Sequence, residues 1–224
     1  MMEAPSSKRL VLRASLLHVS PMVIRVISVH DGMNLPDFND VFCAMLGWSG
    51  DMGYILRIHG QEFNSFRRKT RSKAFHEFKL HRQEKFFYVA DTLSKWEWDV
   101  QVLDIEDATD EDKKPVCLAG RGATPPELCG GPKGYRLMLK RQSEGSAMLS
   151  PKTVDSGIQM LIEGSPSMPV ETWDVLRSAV SDGLVSLDER LARFGPLQPE
   201  RFSLEEANER LRLLMHHQGW RFRA

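Results

Sequence analysis

Trp96-Glu97-Trp98-Asp99-Val100-Gln101-Val102 is the stretch whose reading decides the fold. Trp96, Trp98, Val100 and Val102 alternate with Glu97, Asp99 and Gln101, and a period of two sends the two sets to opposite sides of a strand. The stretch therefore reads as a strand of a sheet with one wet face. Upstream, Lys85–Ala90 reads as another strand, and Tyr54–Ile58 and 61–63 as short strands around His59-Gly60. Nearer the start, residues 9–17 and 23–29 are rich in Val, Ile and Leu with single polar interruptions and Pro21 between them, the pattern of a β-hairpin. After the hairpin, Asn34 can cap a helix with Pro36 and Asp37 in its first turn. Leu35, Phe38, Val41, Phe42, Met45 and Leu46 then recur at helical spacing until Gly47 stops it.

Downstream of Asp99 the character changes. An acidic stretch, 104–112, leads into a Gly/Pro loop, and 142–152 forms a polar linker. Beyond it only helices are expected. Val170, Trp173, Leu176 and Val180 share a face, and Ser186 with Glu189 and Ser203 with Glu206 have the spacing of a capping box. Leu204, Ala207, Leu211 and Leu214 stripe the last helix. The expected class is α+β: an N-terminal mixed sheet with one packed helix in a β-grasp-like order, followed by a helical C-terminal region. The expected divisions are a domain over 1–141, a linker over 142–152 and a helical region over 153–224.

The 224 residues are enough to bury a core without staples. Thirty basic residues balance thirty acidic ones, so no global field draws the chain to nucleic acid or membrane. Three cysteines, Cys43, Cys117 and Cys129, do not make a secreted disulfide framework, which points to the cytoplasm. Arg13 interrupts the apolar run at Leu10-Val11-Leu12, and no run reaches the roughly 18 residues of a membrane span, so neither a signal peptide nor a membrane partner is expected.

The strongest local charge is Arg67-Arg68-Lys69-Thr70-Arg71-Ser72-Lys73, continued by Lys79, Arg82 and Lys85. Phe66, Phe75 and Phe78 interleave with it, an arrangement in which cations contact phosphates while rings stack on bases. The competing reading is a solvated loop neutralised by the acidic stretch 104–112. Arg67, Arg68, Lys69, Arg71, Lys73, Lys79 and Arg82 are accordingly the candidate contacts to an anionic partner. Adjacent His216 and His217 point to different sides of a helix and read as a solvated end. Trp48, Trp96, Trp98 and Trp173 fall on apolar phases and read as core anchors. Neither a Gly-x-Ser-x-Gly elbow nor a His-Glu-x-x-His pair occurs, and the Walker spacing is absent, so no catalytic residue, metal or cofactor is expected.

Residues 117–135, Cys-Leu-Ala-Gly-Arg-Gly-Ala-Thr-Pro-Pro-Glu-Leu-Cys-Gly-Gly-Pro-Lys-Gly-Tyr, resemble the C-x-x-G-x-x-A-x-P-P-E-D-C-G-G-x-x-G-Y signature of the Ri-plasmid ORF-3-like family. Pro21 with Arg25, then Asn34-Leu35 through Leu46-Gly47-Trp48, then Phe86, Tyr88, Asp91 and Trp96 fall in the family's order. Phe202-Ser-Leu-Glu-Glu-Ala-Asn208 is similar to its C-terminal helix. Within the signature, Cys117, Gly120, Pro125, Pro126, Glu127, Cys129, Gly130, Gly131, Gly134 and Tyr135 are expected to be structural. Cys117 and Cys129 sit on a Gly/Pro loop in this reading, and two thiols are too few for a zinc ribbon. The resemblance also has departures. Where the family shows His-Leu-His-x-Phe this chain has Met52-Gly53-Tyr54-Ile55-Leu56, and a third family His is replaced by Trp98.

The resemblance implies an accessory protein of a mobile genetic element, since members travel as passengers of insertion elements. With the histidines gone, the expected function is non-enzymatic binding of a protein or nucleoprotein, with nucleic acid possible through the basic run. The alternative is a nucleic-acid-processing, resolvase-like accessory enzyme.

Overall fold

The computed structural model describes residues 7–66, 73–109, 114–144 and 195–217. Expectations for Arg67, Arg68, Lys69, Arg71, the 170–180 face with Trp173 and the Ser186 capping box lie outside those residues.

Seven strands make one sheet: β1 (Lys8–Leu16), β2 (Ile24–His30), β3 (Tyr54–Ile58), β4 (Gln61–Asn64), β5 (Lys85–Ala90), β6 (Trp96–Asp107) and β7 (Val116–Arg121). Their order is β4-β3-β5-β6-β1-β2-β7, and the class is α+β as expected. Every pairing is antiparallel, which corrects the mixed sheet, while the chain order of hairpin, helix and then further strands is as expected. Alternation fixes which residues face the core but carries nothing about strand direction. Here β6 returns beside β1, with Leu16 opposite Trp98 and Leu12 opposite Val102.

Two stretches extend past the sequence reading. β6 continues through the first part of the acidic run, whose carboxylates turn to cations of this chain: Asp104 to Arg82 at 3.3 Å, Glu106 to Arg9 at 3.5 Å, and Asp107 to Lys8. Residues 116–121 form edge strand β7 rather than part of a Gly/Pro loop, so Cys117 and Gly120 are strand residues. Buried Cys117 between exposed Val116 and Leu118 is a period-two pattern, too short to stand out from the glycines that follow.

Helix α1 (Leu35–Leu46) has the ends the sequence specifies. The Asn34 Oδ1 accepts the N–H of Asp37 at 2.8 Å, and Gly47, at φ 79°, donates its N–H back to the Ala44 carbonyl. Its buried face lies on β5 and β6. Phe38 meets Tyr88 edge-on at 5.5 Å, and Phe42 meets both Tyr88 and Trp98 edge-on at 5.0 Å. Each such pair contributes about 0.5–1.5 kcal/mol beyond the area it buries, so this interface is the core. Trp48, Trp96 and Trp98 are all buried, as core anchors should be.

Helix α2 spans Gly131–Glu144 and helix α3 spans Leu204–His217. Ser203 caps α3 by accepting the Glu206 N–H at 3.1 Å, whereas the Glu206 carboxylate turns to Arg201 instead of completing the box. The chain divides into two compact units, Met1–Pro132 with Gln198–Ala224, and Lys133–Leu197. The sheet, α1 and α3 belong to the first, where α3 packs beside α1 and β7. In the second, the Gln142 side chain exchanges two 2.7 Å hydrogen bonds with the Leu197 backbone. No described helix is long and apolar enough to cross a membrane.

Candidate functional site: a groove beside the first helix

The signature residues are held by bonds within the chain. On β7, the Asn208 amide from α3 accepts the Cys117 N–H and donates to the Cys117 carbonyl, both at 2.9 Å, taking the place a neighbouring strand would have. A Cβ on Gly120 would lie 2.5 Å from the ring of Phe202, so only glycine lets that ring lie flat on the strand. Beneath the ring is Arg25, 4.4 Å from its centroid and buried. Arg25 donates to the Ile24 and Arg121 carbonyls at 2.7 and 3.0 Å and to Thr124 Oγ1 at 2.9 Å. Burial lowers its guanidinium to about 10, still a cation at neutral pH.

The Pro-Pro-Glu turn is held as firmly. Trp48 Nε1 donates to the Pro125 carbonyl at 2.9 Å and Trp96 Nε1 to the Glu127 carbonyl at 3.2 Å. The Glu127 carboxylate accepts the Ser49 N–H and hydroxyl at 2.8 and 3.1 Å, and the Pro126 carbonyl closes a turn on the Cys129 N–H at 3.2 Å. Gly131, at φ 72°, passes so near the turn between β5 and β6 that a Cβ would stand 2.3 Å from the Ser94 carbonyl oxygen. Gly130 also has positive φ, and Gly134 and Tyr135 lie on α2 with Tyr135 buried. Cys117 and Cys129 are free thiols. Burial pushes both up, Cys129 to about 11, so both are protonated at neutral pH and neither is an activated nucleophile. Among the described residues, no group of three or more His, Cys, Asp or Glu side chains converges to hold a metal.

Of the basic run, Lys73, Lys79 and Arg82 are described. Lys73 pairs with Glu77 and Arg82 with Asp104, so intrachain carboxylates neutralise these two. Lys85 likewise meets Asp99 at 2.7 Å. Lys79 makes no ion pair among the described residues.

A surface that is not closed on itself lies between α1 and the turns before β3, after β4 and after β5. Here a cavity of about 760 Å³ opens to solvent, lined by Asn39 and Asp40 of α1, Asp51 and Met52 of the following turn, Phe66 after β4 and Leu93 after β5. Its rim is apolar and unusually bare: Phe66 is 76 % and Leu93 78 % exposed. The rim is also fixed. Asp91 Oδ1 accepts the N–H groups of Leu93 and Ser94 at 2.9 and 3.1 Å, and Thr92 ties that turn to the Met52 carbonyl through its hydroxyl at 3.0 Å. Asn64 Oδ1 accepts the Phe66 N–H at 3.2 Å.

Under the rim is a polar layer. Buried Tyr88 donates its hydroxyl to Asn39 Oδ1 at 2.8 Å, the Cys43 sulfur sits 3.6 Å from the same hydroxyl, and Asn39 Nδ2 donates to Asp40 at 3.3 Å. Burial pushes the Cys43 thiol up to about 12 and the Tyr88 phenol well above its usual value. Neither moves a proton at neutral pH. Burial also raises the Asp40 carboxyl, the Asn39 hydrogen bond opposes that rise, and the like charge of Asp51 adds to it. The arrangement can therefore hold and orient a ligand, but it presents no activated nucleophile.

Sequence reasoning reached Phe66 but missed Asn39, Asp40, Asp51 and Leu93, which come from three separate elements with no shared spacing. One signal was available. Met52 and Tyr54, which stand where the resemblance would put histidines, both line this cavity. Trp98 stands at the third such position two strands away, in register with Tyr88, itself opposite Leu56. Its indole N–H is buried and has no partner among the described residues.

Residues 8–148 match the family described as plasmid pRiA4b ORF-3-like protein. Among solved structures, the crystal structure of a protein of unknown function from Methanosarcina mazei Go1 is similar, with a TM-score of 0.57 and 21 % identity, covering 66 % of this chain and 88 % of that chain. At that identity the likeness is one of fold. No curated protein matches the chain. The match to the family model takes in the whole sheet and the signature that locks it, and on that ground the chain belongs to the plasmid pRiA4b ORF-3-like family.

Proposed function

We propose that this protein is a non-enzymatic, cytoplasmic accessory protein of a mobile genetic element, and that it binds a macromolecular partner at the groove beside α1. One observation carries the reading: two of the most exposed large apolar side chains among the described residues, Phe66 and Leu93, flank the same cavity. Each leaves about 1.5–3 kcal/mol of transfer free energy unrealised in water, and a partner that covers both recovers it. The protonated Cys43 thiol and Tyr88 phenol beneath the groove support binding over covalent chemistry. The mobile-element setting rests on the resemblance. The test is the double variant Phe66→Ser with Leu93→Ser, compared with the unmodified chain for the set of molecules that co-purify from the native host. Loss of a defined partner with the melting temperature retained is the expected result; an unchanged set contradicts the reading.

A second reading, nucleic-acid contact through Arg67, Arg68, Lys69, Arg71, Lys73, Lys79 and Arg82, is supported by the density of the run and by Lys79, which has no ion pair among the described residues. Its partner's affinity would fall steeply with salt. Binding to an apolar rim would change little.

A further inference from the structure

We infer that the groove takes a cationic side chain, a lysine or arginine carried on an otherwise apolar segment of a partner polypeptide. This rests on the docking reading above and names the chemistry of the occupant. The first support is charge. Asp40 and Asp51 line the cavity, and none of its described lining residues is basic. Many other carboxylates of the sheet region are matched by a Lys or Arg: Glu62 by Arg57, Glu77 by Lys73, Asp99 by Lys85, Asp104 by Arg82, Glu106 by Arg9 and Asp107 by Lys8. Asp40 and Asp51 make no ion pair among the described residues, and the charge of Asp51 raises the cost of charging Asp40. A bound cation removes that cost, whereas a phosphate adds to it.

The second support is the shape and chemistry of the walls. Lysine and arginine have long apolar stems with a charged head, so they fit a site where bare apolar side chains stand beside a half-buried and an exposed carboxylate. Met52 and Leu93 are placed for the stem, and the bare ring of Phe66 offers a face on which a guanidinium can lie. A cavity of about 760 Å³ has room for the neighbouring apolar side chains of the same segment as well. The Asn39 side chain is committed to Tyr88 and Asp40, so the floor is fixed before anything binds.

The experiment is selection of a displayed random-peptide library on the full chain, with Asp40→Asn/Asp51→Asn and Phe66→Ser/Leu93→Ser variants as parallel targets. All four positions reach the groove surface, so neither variant touches the packed core. The expected result is enrichment of peptides carrying Lys or Arg beside apolar residues, binding about tenfold or more weaker to the Asn variant and lost with the Ser variant. Peptides that need Phe66 and Leu93 but show no basic residue, or bind the Asn variant equally well, overturn the cationic occupant and leave the docking reading standing. Selection of no peptide, or only of peptides indifferent to Phe66 and Leu93, overturns both.

Discussion

The signature stretch from Cys117 to Gly131 and the rim of the groove are both turn-rich segments with internally bonded polar groups, yet it is the rim that turns the most exposed large apolar side chains among the described residues into solvent. In the first, almost every group that a motif reader would mark is bonded inside the chain: Glu127 to Ser49, the Pro125 carbonyl to Trp48, the Cys117 backbone to Asn208. In the second, the backbone is fixed by Asp91, Thr92 and Asn64 while the side chains of Phe66 and Leu93 stand in solvent. The residues that identify the family are thus those that hold its fold together. The surface proposed to meet another molecule lies where the signature is silent.

The largest expected effect sharpens the first half of that contrast. Gly131→Ala forces a Cβ against the Ser94 carbonyl at positive φ, and overpacking plus backbone strain should cost about 3 kcal/mol. In a chain of this size that lowers the melting temperature by roughly 10 °C, measurable by calorimetry. A fall of no more than a degree or two would mean that the loop is not pinned.

A smaller effect separates two tryptophans of equal burial. Trp96→Phe gives up the hydrogen bond to the Glu127 carbonyl, whereas Trp98→Phe removes an indole N–H that has no described partner. With similar loss of volume, the Trp96 variant is expected to be less stable than the Trp98 variant by about 1 kcal/mol in urea titrations. Equal losses would show that the Glu127 contact contributes nothing.

The groove has a pH signature. Asp40 is raised above 3.8 in the folded chain, so it favours folding at pH values below that figure and this contribution is lost as pH rises through the folded value. Asp40→Asn is therefore expected to raise the melting temperature modestly at neutral pH and to leave it unchanged in acid. A gain confined to acid contradicts the assignment. Smallest of all, Phe66→Ser and Leu93→Ser should each shift stability by less than about 0.5 kcal/mol, because exposed side chains contribute little to a fold.

Much of the fold was legible in the sequence. The alternation of Trp96, Trp98, Val100 and Val102, and α1 from its Asn34 cap to Gly47, are local patterns that tertiary packing had no reason to override. Strand direction was not legible, since the β1–β6 pairing joins segments far apart in the chain. Strand β7 was hidden by glycines kept for Phe202 and for the Ser94 crossing rather than for a loop. The site was less legible than the fold. Asp40, Asp51 and Leu93 become neighbours only through folding, and each alone looks like an ordinary surface residue.

The contrast is tested most directly by a photo-reactive residue placed in turn at Leu93, on the rim, and at Leu128, an exposed leucine within the signature stretch, in the full chain irradiated in its native host. A discrete cross-linked partner from Leu93 and none from Leu128 is expected. A partner captured from Leu128 but not from Leu93 would place recognition on the signature and contradict the account.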